Sequence, residues 1–568
     1  MPPASLRPLA CLVLACLLTT TTRAADPAPA PANVDPLSLS FHRQAVRRSV
    51  FSQEIPFGRM LPGEIVNLSA MHPPAPAPKA SLCDYRLPGN GTLEATAQAA
   101  PANSALYVSG VNPYAAYRVD VVSLSPGAEV AIEFGTLDRA TRVQVAAASG
   151  GSVPATVRVF KDGQPVREFP LGTANVPALE PPYRLCVQLA GVSVAAFAVK
   201  DGQTRFLGRL PIKERFGNTI DLRDRATMAR TGFHVATRLP AGGRAVLGEA
   251  AGSLSAGMGQ ADIRQITHAD GAPFIEDGRF WFTFSSRGMD IDTSCQGVLS
   301  LDPSVFDPRL EGIVVFDRGD GILRNDYASH IFYDDDAREW RALTCCFSAS
   351  PDGRGPTGLA FARSARDPRR GFTVMSETQV TAAQIPGRHE DPCLLHDPDT
   401  GKWRLLTSAF EKGGIRAAMY ESDRWDGTYR RVAGPVEYDS TGTLIQKIGG
   451  KRYVFSGCVK GPGGAGAVLA YTYPDLKLLG EMKFDLPVTK SGGRIWPGVF
   501  PLPTGYPARY MALTMDRANF PDPGGPPQWS YGALYLYWAD TPDLNAPYEF
   551  SPAATAADAT SGTGTRTP

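Results

Sequence analysis

Five stretches of the second half of the chain decide its fold: GRFWFTFSS (278–286), REWRALTCC (338–346), GKWRLLTSA (401–409), GKRYVFSGC (450–458) and ARYMALTMD (508–516). Each carries an aromatic residue at its head and then apolar and small residues of strand type. A shorter apolar segment precedes each one: APFIED, SHIFYDDD, PCLLHDPD, GTLIQKIG and GVFPLPTG. Another follows: QGVLSLDP, GLAFARSARDP, AAMYESDRWDG, VLAYTYPDLKLLG and ALYLYWADTPDL. With Phe280, Trp340, Trp403, Tyr453 and Tyr510 as anchors, the intervals are 60, 63, 50 and 57 residues. That spacing suits a four-stranded sheet with variable loops, repeated five times. One such sheet buries too little apolar area alone, and closing five into a ring covers their faces and shields their edges. Five aligned triplets favour a five-bladed β-propeller over residues 216–550 against a pair of β-sandwiches.

In a propeller the innermost strands line a central channel, with their first residues at one mouth. The residues ahead of the five expected inner strands are His-Ala-Asp-Gly (268–271), Asn-Asp-Tyr-Ala-Ser-His (325–330), His-Glu-Asp-Pro (389–392), Asp-Ser-Thr-Gly (439–442) and Arg-Ile-Trp-Pro (494–497). His268, His330, His389 and His396 fall in or beside this set, as do Asp270, Asp326, Glu390 and Asp391. Titratable groups are costly to bury without partners, so their recurrence predicts a shared polar cavity.

These residues make the chain resemble the five-bladed propeller glycoside hydrolases typified by family 43, a scaffold shared by families 32, 68 and 117. The resemblance covers about 216–550. It implies a general base in Asp270, ahead of APFIEDGRFWFTF, and a second carboxylate in Asp391 that orients the sugar and tunes the acid. The family's acid is a Glu before a Gly, and here Thr441-Gly442 stands in its place. The proton donor is then to be sought in Glu390, in Glu437 or Asp439, or in the imidazole of His330 or His389. Cleavage needs a proton for the leaving group while water or a carboxylate attacks the anomeric carbon, and inversion is the usual family 43 outcome. A carboxylate beside the acid raises its pKa, as Asp391 would for Glu390. His268, His389, Arg494, Trp496, Asp516 and Arg517 are the expected substrate contacts, Trp496 by stacking and the arginines by binding hydroxyls or a carboxylate. Arg287 and Arg388 are further candidates of that kind. No cofactor is required, and a structural Ca²⁺ in the channel would prefer oxygen ligands to these histidines.

The rest of the chain frames the propeller. Of 568 residues, 43% are hydrophobic and 20% charged, and 57 Lys+Arg balance 56 Asp+Glu to a net charge of +1. That balance supplies no field to gather nucleic acid or an anionic membrane. The 57 glycines and 50 prolines disfavour a helical bundle. Residues 1–24 read as a signal peptide, with Arg7 ahead of PLACLVLACLL and small residues for cleavage near Ala24. The expected location is secreted or periplasmic, or anchored as a lipoprotein through Cys16. The apolar run is too short to span a bilayer, and no second run of that length follows.

Residues 25–39 form a Pro/Ala linker and 551–568 a low-complexity tail. Residues 40–215, with short alternating strands and two Lys-Asp-Gly turns, read as an N-terminal β-sandwich. Cys83 and Cys186, alone in the first half of the mature chain, are available for one disulfide. The expectation is an all-β, secreted glycosidase acting on plant or algal polysaccharide or its oligosaccharides. A non-catalytic carbohydrate-binding propeller and a polysaccharide lyase are the alternatives. The Ser-x-Asp-x-Gly-x-Thr-Trp boxes of sialidases are absent.

Overall fold

The computed structural model describes residues 34–48, 55–56, 83–88, 90–172, 179–191, 193–211, 221–255, 259–287, 294–348, 358–381, 384–485, 496–515 and 533–541. The expected signal peptide, most of the linker and the tail lie outside the described residues. The protein is an all-β chain: an N-terminal β-sandwich followed by a five-bladed β-propeller. Among the described residues no helix is long and apolar enough to cross a membrane.

The five repeated segments become the second strand of each blade: Arg279–Arg287, Glu339–Cys345, Lys402–Glu411, Lys451–Cys458 and Tyr510–Met515. Each lies between neighbours on both sides and is buried over most of its length, which is why it carries a repeated apolar pattern. The inner strands are Gly259–Gln265, Tyr327–Asp334, His389–Asp397, Thr441–Ile448 and Gly498–Pro501. They touch one another in that order, and the first is met by the second and third strands of the fifth blade, which completes the ring.

Two expectations about organisation are corrected. Ser40–Arg48, read as the start of the sandwich, pairs antiparallel with Ala533–Ala539 and is the fourth strand of the fifth blade. The propeller is thus closed by the N-terminal segment, and Phe41, 1% exposed, stacks on Phe484 at 4.7 Å. Conversely, Thr231–Leu239 and Arg244–Leu254, read within the propeller, belong to the sandwich. The first lies between Glu129–Thr136 and Ala102–Gly110, and the second between Ala115–Leu124 and Leu93–Thr96. The second domain therefore begins near residue 259.

The Cys83–Cys186 disulfide is not formed. Cys186 lies on Tyr183–Leu189, four strands from Asp84–Arg86, which Cys83 immediately precedes. Four strand spacings are ~19 Å, against the ~7 Å limit for bridged Cα atoms. An apolar seam joins the domains, formed by Tyr114, Met228 and Leu254 with Ile313, Leu323 and Phe372. The Tyr114 hydroxyl donates to the carbonyl of Leu323 at 2.8 Å.

Candidate active site

Four inner strands share one irregularity near their first residues. The ladder slips between Ala261 and Arg264, Tyr327 and His330, Glu390 and Cys393, and Thr441 and Leu444. Inside each slip one residue is left-handed: Asp262 (φ 53°), Ala328 (56°), Asp391 (53°) and Gly442 (64°). A bulge of this kind re-aims a side chain, and Asp and Gly tolerate the conformation better than most residues. The first and third blades thus present Asp262 and Asp391 at equivalent positions.

Asp391 is 5% exposed, and its carboxylate is held by the fourth blade. Oδ2 accepts hydrogen bonds from the Thr441 hydroxyl at 2.9 Å and the Gly442 N–H at 2.8 Å. The carbonyl of Asp391 accepts from Thr443 Oγ1 at 2.8 Å and from Arg264 Nη2 at 3.2 Å. Arg264, buried, also donates through Nη1 to the Thr443 carbonyl at 2.7 Å, so one guanidinium from the first blade ties the third and fourth together.

Glu390 stands beside this fixed carboxylate with its side chain 20% exposed. Burial pushes its pKa from 4.5 up to about 7, and the charge of Asp391 adds to the rise. Arg388 opposes it, with Nη2 3.4 Å from Oε1, while Asp262 contributes in the upward direction. A carboxyl so placed keeps its proton near neutrality and remains open to a ligand, as a general acid requires. Asp262 is buried, and its N–H donates to Met515 Sδ at 3.2 Å, against the fifth blade. Sequence reasoning missed Asp262. The signal was the pair Ala-Asp (261–262) and Glu-Asp (390–391), each two residues ahead of Arg264 or Cys393.

Asp270 is corrected. Its Oδ1 accepts the Ala272 N–H at 2.9 Å in an exposed turn. The neighbouring Ala269 carbonyl accepts from the His396 N–H at 2.7 Å, five residues beyond Asp391 on the same strand. That is ~16 Å along a strand, so Asp270 sits at the opposite end of the channel. The segment APFIED is not the inner strand; it supplies only Ile275–Glu276, a short pairing that follows an excursion from the inner strand Gly259–Gln265.

Three other candidates have structural roles. His330 is buried, its Nδ1 accepting the Leu394 N–H at 3.0 Å and its Nε2 3.2 Å from Thr267 Oγ1. Burial first, and the charge of Arg264 next, push its pKa down to about 3, so it is neutral and donates through Nε2. His389 spends both nitrogens on Thr407 Oγ1 and the Pro386 carbonyl, each at 3.0 Å, and burial lowers its pKa. His268 is at the far end, with Nδ1 2.9 Å from Asp335 Oδ2.

Glu437 is exposed and follows Val436, whose N–H donates to Ala417 on the third strand of the third blade. That places it some three strand spacings, ~14 Å, outward of Glu390. Trp496 is no sugar platform. It is 4% exposed, donates Nε1–H to the Ile263 carbonyl, and leaves no room for a Cβ on Gly442. Arg494, Asp516 and Arg517 lie outside the described residues. Among the described residues no group of three or more His, Cys, Asp and Glu side chains is placed to hold a metal ion.

No protein-family model and no curated protein matches the chain. Among solved structures it is similar to the catalytic domain of the Coprinopsis cinerea GH62 α-L-arabinofuranosidase: 12% identity, 50% of this chain and 90% of that one, TM-score 0.33. It is similar to a family 117 glycoside hydrolase of Zobellia galactanivorans at 11% identity, over 52% and 88% of the two chains, TM-score 0.35. It is also similar to an inulosucrase from Halalkalicoccus jeotgali at 14% identity, over 52% and 89%, TM-score 0.36. Likenesses of this size leave the function to the residues of this chain.

Proposed function

We propose that the propeller is a glycoside hydrolase in which Glu390 protonates the leaving group, Asp262 activates water and Asp391 orients the sugar. The reading is carried by Glu390: a mostly buried but accessible carboxyl with a pKa of about 7, beside one buried carboxylate and within the field of a second. Glycosidic cleavage needs this division between a carboxyl that holds its proton and one that has lost it. The blade carrying Asp262 is separated from that of Glu390 by the second blade. Attack by a water activated from that other blade, rather than by a carboxylate, makes inversion the expected stereochemistry. The proposed substrate is a poly- or oligosaccharide outside the cytoplasm.

Thr441 favours a second reading. Its hydroxyl is spent on Asp391, so the fourth blade offers no carboxyl where the resembled family has its acid. A binding propeller without turnover would tolerate that loss. A screen of aryl glycosides and polysaccharides separates these readings. Saturated reducing ends that disappear in Glu390→Gln support hydrolysis by this site. Unsaturated uronates indicate a lyase, and binding without turnover indicates the module.

A further inference from the structure

The sandwich carries a polar cleft of its own. Along Glu129–Thr136, residues Val130, Ile132 and Phe134 enter the core, so Glu129, Ala131 and Glu133 face the other way. A row of small buried side chains, Ala105, Ala131, Ala146 and Ala236, crosses that outer face, and Ala131 and Ala236 form the floor of the cleft. Taller side chains rise around it and enclose about 290 Å³, near the lower end of the range for small-ligand sites, roughly 300–1,000 Å³.

The walls are cationic and already set in place. Arg139, left-handed at φ 56° in a hairpin turn, folds back so that Nε and Nη2 reach the fully buried carboxylate of Glu133 at 2.7 and 2.9 Å. Arg142 lies over the Phe160 ring, 3.7 Å from its centroid. Arg158 is held by Glu129 and by Glu168, the latter at 3.1 Å. Arg238, also lining the cleft, is exposed and has no hydrogen bond or ion pair among the described residues. Four arginines thus meet three glutamates, and the surplus charge sits on the one guanidinium that is free to bind a ligand. The paired arginines hold the walls in shape, and a charged group of the ligand meets the unspent guanidinium of Arg238.

We infer that this cleft is a second binding site, for an anionic saccharide whose carboxylate or sulfate group pairs with Arg238 while its ring lies on the alanine floor beside Phe160. A floor of Ala131 and Ala236 methyls edged by the amides of Asn103 and Gln144 matches a pyranose, which shows C–H faces and hydroxyl edges. A chain with a net charge of +1 has no broad field for a nucleic acid, so one local surplus charge favours a sparsely charged ligand. The choice of a saccharide over other small anions rests on the glycosidase reading of the propeller; the charge argument does not.

The test is calorimetric titration of the full chain carrying Glu390→Gln with polygalacturonate, a sulfated galactan and a neutral arabinan. Binding of either acidic glycan, weakened by salt and at least tenfold weaker in Arg238→Glu and in Phe160→Ala, is the expected result. The glycan that binds identifies carboxylate or sulfate as the partner. Equal binding of the neutral glycan, binding of none, or unchanged affinity in both variants overturns the inference. With Glu390 restored, both variants should hydrolyse a small aryl glycoside at the parental rate. Absence of any hydrolysis alongside intact acidic-glycan binding would strike the propeller reading and leave this one standing.

Discussion

The two ends of the propeller channel carry similar sequences and opposite chemistry. At one end, His-Glu-Asp-Pro places Asp391 in a bulge, 5% exposed, with donors from the next blade on its carboxylate. At the other, His-Ala-Asp-Gly places Asp270 in an exposed turn, bonded to the N–H of Ala272 two residues on. Asp before Pro or Gly is compatible with either outcome, because short polar side chains serve turns as readily as sites. What separates them is the neighbouring strand: only in the bulge does a second blade close over the carboxylate. Burial raises the pKa of Glu390, and the fixed charge of Asp391 raises it further.

The largest expected effect is at the first end. Glu390→Gln should lower kcat by roughly 10²–10⁴-fold with the fold retained by circular dichroism, and the wild-type rate should fall as pH rises through about 7, where Glu390 gives up its proton. A loss below tenfold would remove Glu390 as the acid. The ring that creates both ends depends on Ser40–Arg48. Phe41→Ala should therefore cost ~3–5 kcal/mol by denaturant unfolding, whereas a loose outer strand would cost almost nothing.

Between the ends, His330→Ala strands the Leu394 N–H without its acceptor, a loss of about 1–3 kcal/mol, while activity per folded molecule should persist. Equal loss of activity and no loss of stability would make His330 a catalytic group after all. The smallest effect concerns pH and stability. The folded chain holds the Glu390 proton more tightly than the unfolded chain, so this stabilisation is complete below about 4.5 and lost as pH rises through about 7. The Gln variant lacks that loss, and its Tm relative to wild type should climb across that window.

Much of the fold was legible in sequence because the second strand of each blade is buried over most of its length and repeats an aromatic residue ahead of apolar and small ones. The first inner strand was not. GQADIRQ carries a guanidinium and two amides, with Arg264 serving carbonyls across the channel, so it does not read as a strand. The closing strand SFHRQAVRR was hidden for another reason: its partner Ala533–Ala539 is nearly five hundred residues away, and local patterning cannot see such a pairing. Glu390 and Asp391 were found because their strand continues as the apolar run Cys393-Leu394-Leu395. Asp262 was lost with its strand, and a turn residue took its place in the reading.

The rates of Asp262→Asn and Asp270→Asn, compared on one glycoside that the wild-type chain hydrolyses, test the central claim most directly. Asp262→Asn should fall by roughly 10²-fold or more while Asp270→Asn stays within about twofold of wild type. A crippled Asp270→Asn beside an active Asp262→Asn would move the chemistry to the other end of the channel and contradict the account.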